Sequence, residues 1–235
     1  KEAVLYIKEQ GQVFCKPSTI SCGGRGCFIE NFSNLTDSEV ETLFAEMGSD
    51  FVIQELIHCH SSIASLYTKS VNTFRVITYR WREEFLHMPV FMRLGRGGAV
   101  VDNGAAGGMF VGIKDDGSLT DYAVSISELC IPKHPDTGMS FKGYKIPLFD
   151  KVLSSAITMH QMIPQIGLVY WDFTIDETGE PVLIECNIIN GTVYAIQMTH
   201  GEGPFGEKTP QILQWIKKMK NTPFGKRSCY AFGGV

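Results

Sequence analysis

The sequence predicts an α+β fold built as two small lobes. Three observations carry that reading: strand-like runs that open into a glycine-rich loop near the N-terminus, an amphipathic helix pattern over 147–163, and a strand-turn-strand pattern over 167–187. A chain of 235 residues is long enough to bury a full core. With 44% hydrophobic and 20% charged residues, its composition is that of a globular protein and argues against wholesale disorder. The formal net charge of −4 disfavours extended contact with nucleic acid or an anionic membrane, while leaving room for a local basic pocket.

The elements follow in order. Val4 to Ile7 and Gln12 to Cys15 read as strands around the turn Glu9-Gln10-Gly11, and the second runs through Lys16-Pro17 into the small-residue loop 21–26. Thr36 to Met47 places Val40, Leu43, Phe44 and Met47 at helical spacing, with Thr36 or Asp37 as cap and Gly48 as stop. Phe51 to Ile57 reads as a buried strand. Val71 to Tyr79, Val90 to Leu94 and Met109 to Ile113 supply further strands, with a turn at Asp115-Asp116-Gly117. Pro147 through Ile163 repeats Leu148, Val152, Ala156, Met159 and Ile163 on one helix face. Gly167 to Ile175 and Pro181 to Asn187 form a hairpin across Asp176-Glu177-Thr178-Gly179. A last helix spans about 210–219, and 221–235 reads as a tail.

The seven cysteines are scattered and none forms a C-x-x-C pair, a pattern that suits reduced thiols in a cytoplasmic protein better than a disulfide framework or a structural zinc. No apolar run approaches the ~20 residues needed to span a bilayer, and no signal peptide is visible. Lys1 does not look like a natural start, so a preceding segment is expected.

Four groups of residues are suited to chemistry. Lys16 ends a strand beside Ser21, Gly23, Gly24 and Gly26, where an ammonium and bare backbone N–H groups can meet phosphate oxygens. The lysine precedes the glycines, which rules out a P-loop, and an ordinary glycine-rich turn beside a surface lysine is the plain alternative. Asp172, Glu185 and Asn187 lie on the late hairpin. Glu185 and Asn187 share a face by alternation and Cys186 takes the other, so two carboxylates and an amide oxygen can meet as hard ligands for Mg²⁺. The alternative is a separate basic partner for each carboxylate. Gln54, Glu55, Leu56 and Ile57 form a strand end whose backbone can pair with the amino edge of adenine; His60 is placed to reach a ribose, or is a solvated loop residue. Arg75 and Arg93 sit in strand-like contexts, where an inward guanidinium suits a developing acyl phosphate, although surface ion pairing is the usual fate of an arginine. The loop 102–108, Asp-Asn-Gly-Ala-Ala-Gly-Gly, can let backbone approach a ligand or serve as a plain connection.

In chain order, these parts resemble the ATP-grasp superfamily: lysine strand and glycine loop, adenine segment, arginine strand, then Asp and a Glu-x-Asn metal strand. The sugar-transfer-associated branch is the closest in pattern, through Ser70-Val71-Asn72-Thr73-Phe74-Arg75, Asp102-Asn103 with Gly107-Gly108, His134-Pro135 with Thr137-Gly138, and 167–172 before Glu185-Cys186-Asn187. The resemblance covers roughly 4–200. It implies an ATP-grasp fold with a small lobe at 1–57, a large lobe at 58–220 and MgATP held between them, Lys16 on the phosphates, loop 21–26 above them, and Asp172, Glu185 and Asn187 on Mg²⁺. The family's N-terminal subdomain has no counterpart here, and its usual Gly-Trp-Asp reads Tyr170-Trp171-Asp172.

The activity implied is an ATP-dependent, ADP-forming carbon-nitrogen ligase of polysaccharide or related biosynthesis. It would activate a carboxylate as an acyl phosphate for an amine or similar acceptor, with Arg75 and Arg93 as catalytic residues. A kinase of a sugar or polyol hydroxyl and a non-catalytic nucleotide-binding module are the competing readings. The expected partners are small-molecule acid and acceptor substrates, with no nucleic acid and no membrane span; a homodimer is compatible with the sequence.

Overall fold

The computed structural model describes residues 2–19, 25–189 and 191–223. Ser21, Gly23 and Gly24, together with most of the tail, lie outside the described residues. The chain divides into two compact units, 1–58 and 59–235.

The first unit is a three-stranded antiparallel sheet with two helices. Helix α1 (Glu2–Glu9) leads to β1 (Gln12–Pro17), β2 (Phe28–Asn31), α2 (Asp37–Met47) and β3 (Phe51–Glu55), with strand order β2-β1-β3. Thr36 caps α2 in a capping box: its hydroxyl accepts from Glu39 N, and the Glu39 carboxylate accepts from Thr36 N. Val40, Leu43, Phe44 and Met47 pack as their spacing predicts, around Val13, Cys15 and Phe32.

Two readings are corrected here. Val4 to Ile7 is helical, not a strand. Val4 and Ile7 reach the core while Leu5 and Tyr6 stay 63% and 61% exposed, a separation of three that periodicity cannot recognise within four consecutive apolar residues. Phe51 to Ile57 is a half-exposed edge strand that stops at Glu55, because only the face bearing Phe51 and Ile53 meets α2.

The second unit is built on a seven-stranded antiparallel sheet. Its elements are α3 (Ser61–Ala64), β4 (Thr73–Trp81), β5 (Glu84–His87), β6 (Val90–Leu94), β7 (Met109–Ile113), β8 (Leu119–Val124), α4 (Phe149–Gln161), β9 (Leu168–Ile175), β10 (Pro181–Asn187), α5 (Tyr194–His200) and α6 (Thr209–Lys220). The strands run β10-β9-β4-β6-β7-β8, with β5 paired to β4. The short elements β2, β5, β8, α3 and α5 were not anticipated, since four to seven residues carry too little pattern.

Both faces of this sheet are occupied. On one, Phe74, Val76, Met92, Val111, Trp171 and Phe173 pack under Phe149, Val152 and Ala156 of α4. On the other, Ile77, Tyr79, Phe91, Phe110 and Tyr170 pack under Ala195 and Ile196 of α5 and Ile212 of α6. Strand alternation puts Thr73 and Arg75 on the second face beside Ile77, and the cross-strand pairs Thr73↔Arg93 and Arg75↔Asp172 extend the polar set across three strands. Helices α5 and α6 cover the apolar end of that face, and the charged groups cluster at the other end.

Candidate active site

The centre of the cluster is Asp172, fully buried on β9. Its carboxylate accepts from Arg75 Nε and from Arg75 Nη2 at 2.9 Å, and Arg93 Nη2 donates to Oδ2 at 2.9 Å. The side chains of Arg75 and Arg93 are 16% and 12% exposed. A buried carboxylate between two guanidiniums has its desolvation offset by charge-assisted hydrogen bonds. Arg93 Nε also donates to Thr73 Oγ1 at 2.9 Å and lies 3.6 Å from Asp102 Oδ2. Burial by itself lowers the pKa of Arg93, but Asp102, Asp172 and Glu185 outweigh it and hold the guanidinium charged.

Glu185 reaches this face through a β-bulge. Up to Leu183, β10 pairs with β9 in one register; one extra residue, Ile184, then shifts it, so that Glu185 faces Asp172 and Asn187 faces Tyr170. Had the first register continued through Ile184 instead, Ile184 would face Asp172 and Glu185 would face Trp171, on the α4 side of the sheet. Glu185 is exposed, and among the described residues its side-chain hydrogen bond is from Asn187 Nδ2 at 3.1 Å.

The predicted site residues are therefore divided. Arg75, Arg93, Asp172, Glu185 and Asn187 come together on one sheet face. Lys16 lies on β1 across from Val52, Gly26 lies in the turn before β2, and Gln54 and Glu55 pair with Phe14 and Val13. Leu56 and Ile57 follow the strand. His60 is a helix cap: its Nδ1 accepts from Ser62 N at 3.3 Å and pairs with Ser62 Oγ at 2.8 Å.

Sequence reasoning missed Thr73 and the carboxylate of Asp102, which accepts from Thr73 N at 3.1 Å and Thr73 Oγ1 at 2.5 Å. The sequence context of Asp102 is a loop of small residues; a carboxylate that opens such a loop after an arginine strand is the available signal. His134 and Asp136 clasp the segment after β6 instead of facing the cluster. His134 Nε2 bonds Gly95 O at 2.8 Å, and Asp136 accepts from Gly97 N at 2.9 Å.

The resemblance implies Mg²⁺, and the donor set fits it in part. Glu185 and Asn187 offer oxygens on an exposed edge, whereas three of the roughly four lone-pair directions of Asp172 are taken by arginine. Among the described residues no group of three or more His, Cys, Asp or Glu side chains is set to hold a metal. A cation here would take few ligands from the chain and the rest from phosphate and water, the usual manner of Mg²⁺.

The fold is α+β, with the charged cluster on one face of an antiparallel sheet, and residues 6–212 match the family described as sugar-transfer associated ATP-grasp. The chain belongs to that family. No curated protein matches it. Solved structures with a similar fold include the L-amino acid ligase from Bacillus licheniformis (10% identity, TM-score 0.42, covering 76% of this chain and 32% of that one). The N5-carboxyaminoimidazole ribonucleotide synthetase from Thermotoga maritima shares 12% identity with TM-score 0.44, covering 84% and 38%. The D-alanine-D-alanine ligase from Aeromonas hydrophila shares 16% with TM-score 0.44, covering 90% and 52%. The chain thus spans less than two thirds of each of these structures.

Proposed function

We propose that this protein is an ATP-dependent, ADP-forming ligase that activates a carboxylate as an acyl phosphate for transfer to an amine or similar acceptor, in cell-surface polysaccharide or related biosynthesis. The observation that carries the reading is the convergence of Arg75, Arg93, Asp172, Glu185 and Asn187 on one sheet face. Bound MgATP would supply the phosphoryl group and part of the charge neutralisation its transfer needs.

The chain's own residues prepare for that charge. Asp172 fixes both guanidiniums by their Nε or Nη2 edges, and each Nη1 remains unengaged among the described residues, so the arginines are oriented before an anion arrives. Preoriented donors cost little reorganisation as negative charge develops. Glu185 and Asn187 are the proposed cation ligands, with the remaining lone pair of Asp172 Oδ1 beside them. Lys16, loop 21–26 and residues 54–57 with His60 are proposed for the nucleotide. The free thiols of Cys15, Cys59, Cys130 and Cys186 support a reducing, cytoplasmic setting.

Glu185→Ala should abolish divalent-dependent ATP turnover while leaving the thermal midpoint within about 2 °C, since an exposed side chain contributes little to stability. Full activity in that variant would remove the metal assignment. Product analysis separates ligase from kinase: an acceptor amine would be consumed by the first, and a stable phosphate ester formed by the second.

A further inference from the structure

We infer that Asp102 is a positioning residue for Arg93: acting through the Thr73 hydroxyl, it fixes the direction in which the guanidinium presents its unengaged edge. The inference rests on the ligase reading for its catalytic consequence, and on geometry alone for the positioning itself.

Asp102 is 8% exposed and lies between β6 and β7, just before the short helical turn Gly104–Ala106. It accepts from both the backbone N–H and the hydroxyl of Thr73, the residue paired with Arg93 across β4 and β6. The Thr73 hydroxyl has one proton. Donating it to Asp102 leaves the oxygen lone pairs to accept Arg93 Nε–H, so the chain Arg93 Nε–H to Thr73 Oγ1–H to Asp102 Oδ2 has a single sense. A carboxylate has acceptors only. An amide in its place would offer an NH₂ group as well, which could donate to Thr73 Oγ1, turn the hydroxyl proton elsewhere and compete with Arg93 Nε–H for that oxygen.

The burial of Asp102 raises its pKa, and Arg93 and the Thr73 hydroxyl oppose that rise. A buried carboxylate is costly, and one neutral amide would satisfy Thr73 N–H equally well. What the carboxylate adds is direction and a second negative neighbour for Arg93. Asp172 holds one end of the guanidinium through Nη2, and the Thr73–Asp102 pair holds the other through Nε, so Nη1 is confined to one orientation.

The test has two arms in the full chain. In the first, the ¹⁵N–¹H signal of Arg93 Nε, assigned by its loss in Arg93→Lys, is followed for solvent exchange. Fast exchange or loss of dispersion is expected in Asp102→Asn and Thr73→Val, and retention in Thr73→Ser, which keeps the hydroxyl. In the second, ATP turnover by Asp102→Asn should show kcat lowered about 10-fold or more with KM for ATP changed by less than about 2-fold. That loss should disappear in an Arg93→Ala background, and Thr73→Ser should restore most of the loss seen in Thr73→Val.

An unchanged Arg93 signal in both Asp102→Asn and Thr73→Val overturns the positioning. An equal loss of kcat with and without Arg93 shows a merely structural role and also overturns it. If Asp102→Asn does not fold, the Thr73 pair decides both arms. If the wild-type protein turns over no ATP with any acid and amine, the ligase reading fails, and the exchange arm alone still decides whether Asp102 holds Arg93.

Discussion

At the scale of single residues, Tyr170 shows how a departure from the family pattern is accommodated. The resemblance places a glycine where this chain has Tyr170, and the ring occupies space that another glycine vacates: any side chain at Gly191 would overlap it. Tyr170 is 6% exposed, and its ring lies 6.0 Å from the Arg75 guanidinium, within range of a cation–π attraction. Gly191→Ala should therefore destabilise the protein by about 1–3 kcal/mol, as overpacking does. Tyr170→Ala should relieve the clash, so in urea denaturation the double variant should lose clearly less than the sum of the two single losses. Strict additivity would show that the two residues do not interlock.

Among the elements, the bulge on β10 decides which face the chemistry occupies. Deleting Ile184 should give a regular ladder that still pairs Leu183 with Phe173 and Glu185 with Asp172, so divalent-dependent ATP turnover should survive, and Ile184→Val should leave turnover within about 2-fold, because the pairing of Glu185 with Asp172 and not the Ile184 side chain sets the site. Turnover lost in a folded deletion variant would show that the pairing of Glu185 with Asp172 is not enough to place it. The comparison of sequence with structure turns on similar points. The late hairpin, α2 and α4 were legible because apolar spacing, a Thr cap and the turn 176–179 agree with one another. The bulge was not, since Val182-Leu183-Ile184 reads equally well in either register. Helix α1 was misread for want of a polar residue between Val4 and Ile7. At the site, Asp172, Arg75 and Arg93 were visible as charged residues in strands, but that the aspartate would bind both arginines depends on β4 lying between β9 and β6, a long-range pairing that local pattern does not encode.

For the whole molecule, the second unit carries buried imidazoles whose protonation opposes folding. Burial pushes His134 and His160 below the ordinary value of 6.5. The unfolded chain therefore takes up protons first as pH falls. Their stability contribution is complete above about pH 6.5 and declines as pH drops toward the folded-state values. The exposed carboxylates with lowered pKa, Asp37, Asp116 and Asp176, act only at lower pH, near and below 4. Urea midpoints should fall from pH 7 to pH 5, and His134→Gln should flatten part of that slope; a midpoint independent of pH in this interval would contradict neutral burial.

The position of β10 at the margin of the seven-stranded sheet has a further consequence. An outermost strand offers its free backbone groups to any neighbouring chain, and proteins guard such margins with proline, charge and irregular twist. Pro181, the Ile184 bulge and the exposed Glu185 supply all three. The carboxylate proposed to hold a cation is also a charge on that margin, and neutralising it should remove a solubility safeguard together with a ligand. Lost turnover in such a variant is evidence about chemistry only when the sample is still monodisperse.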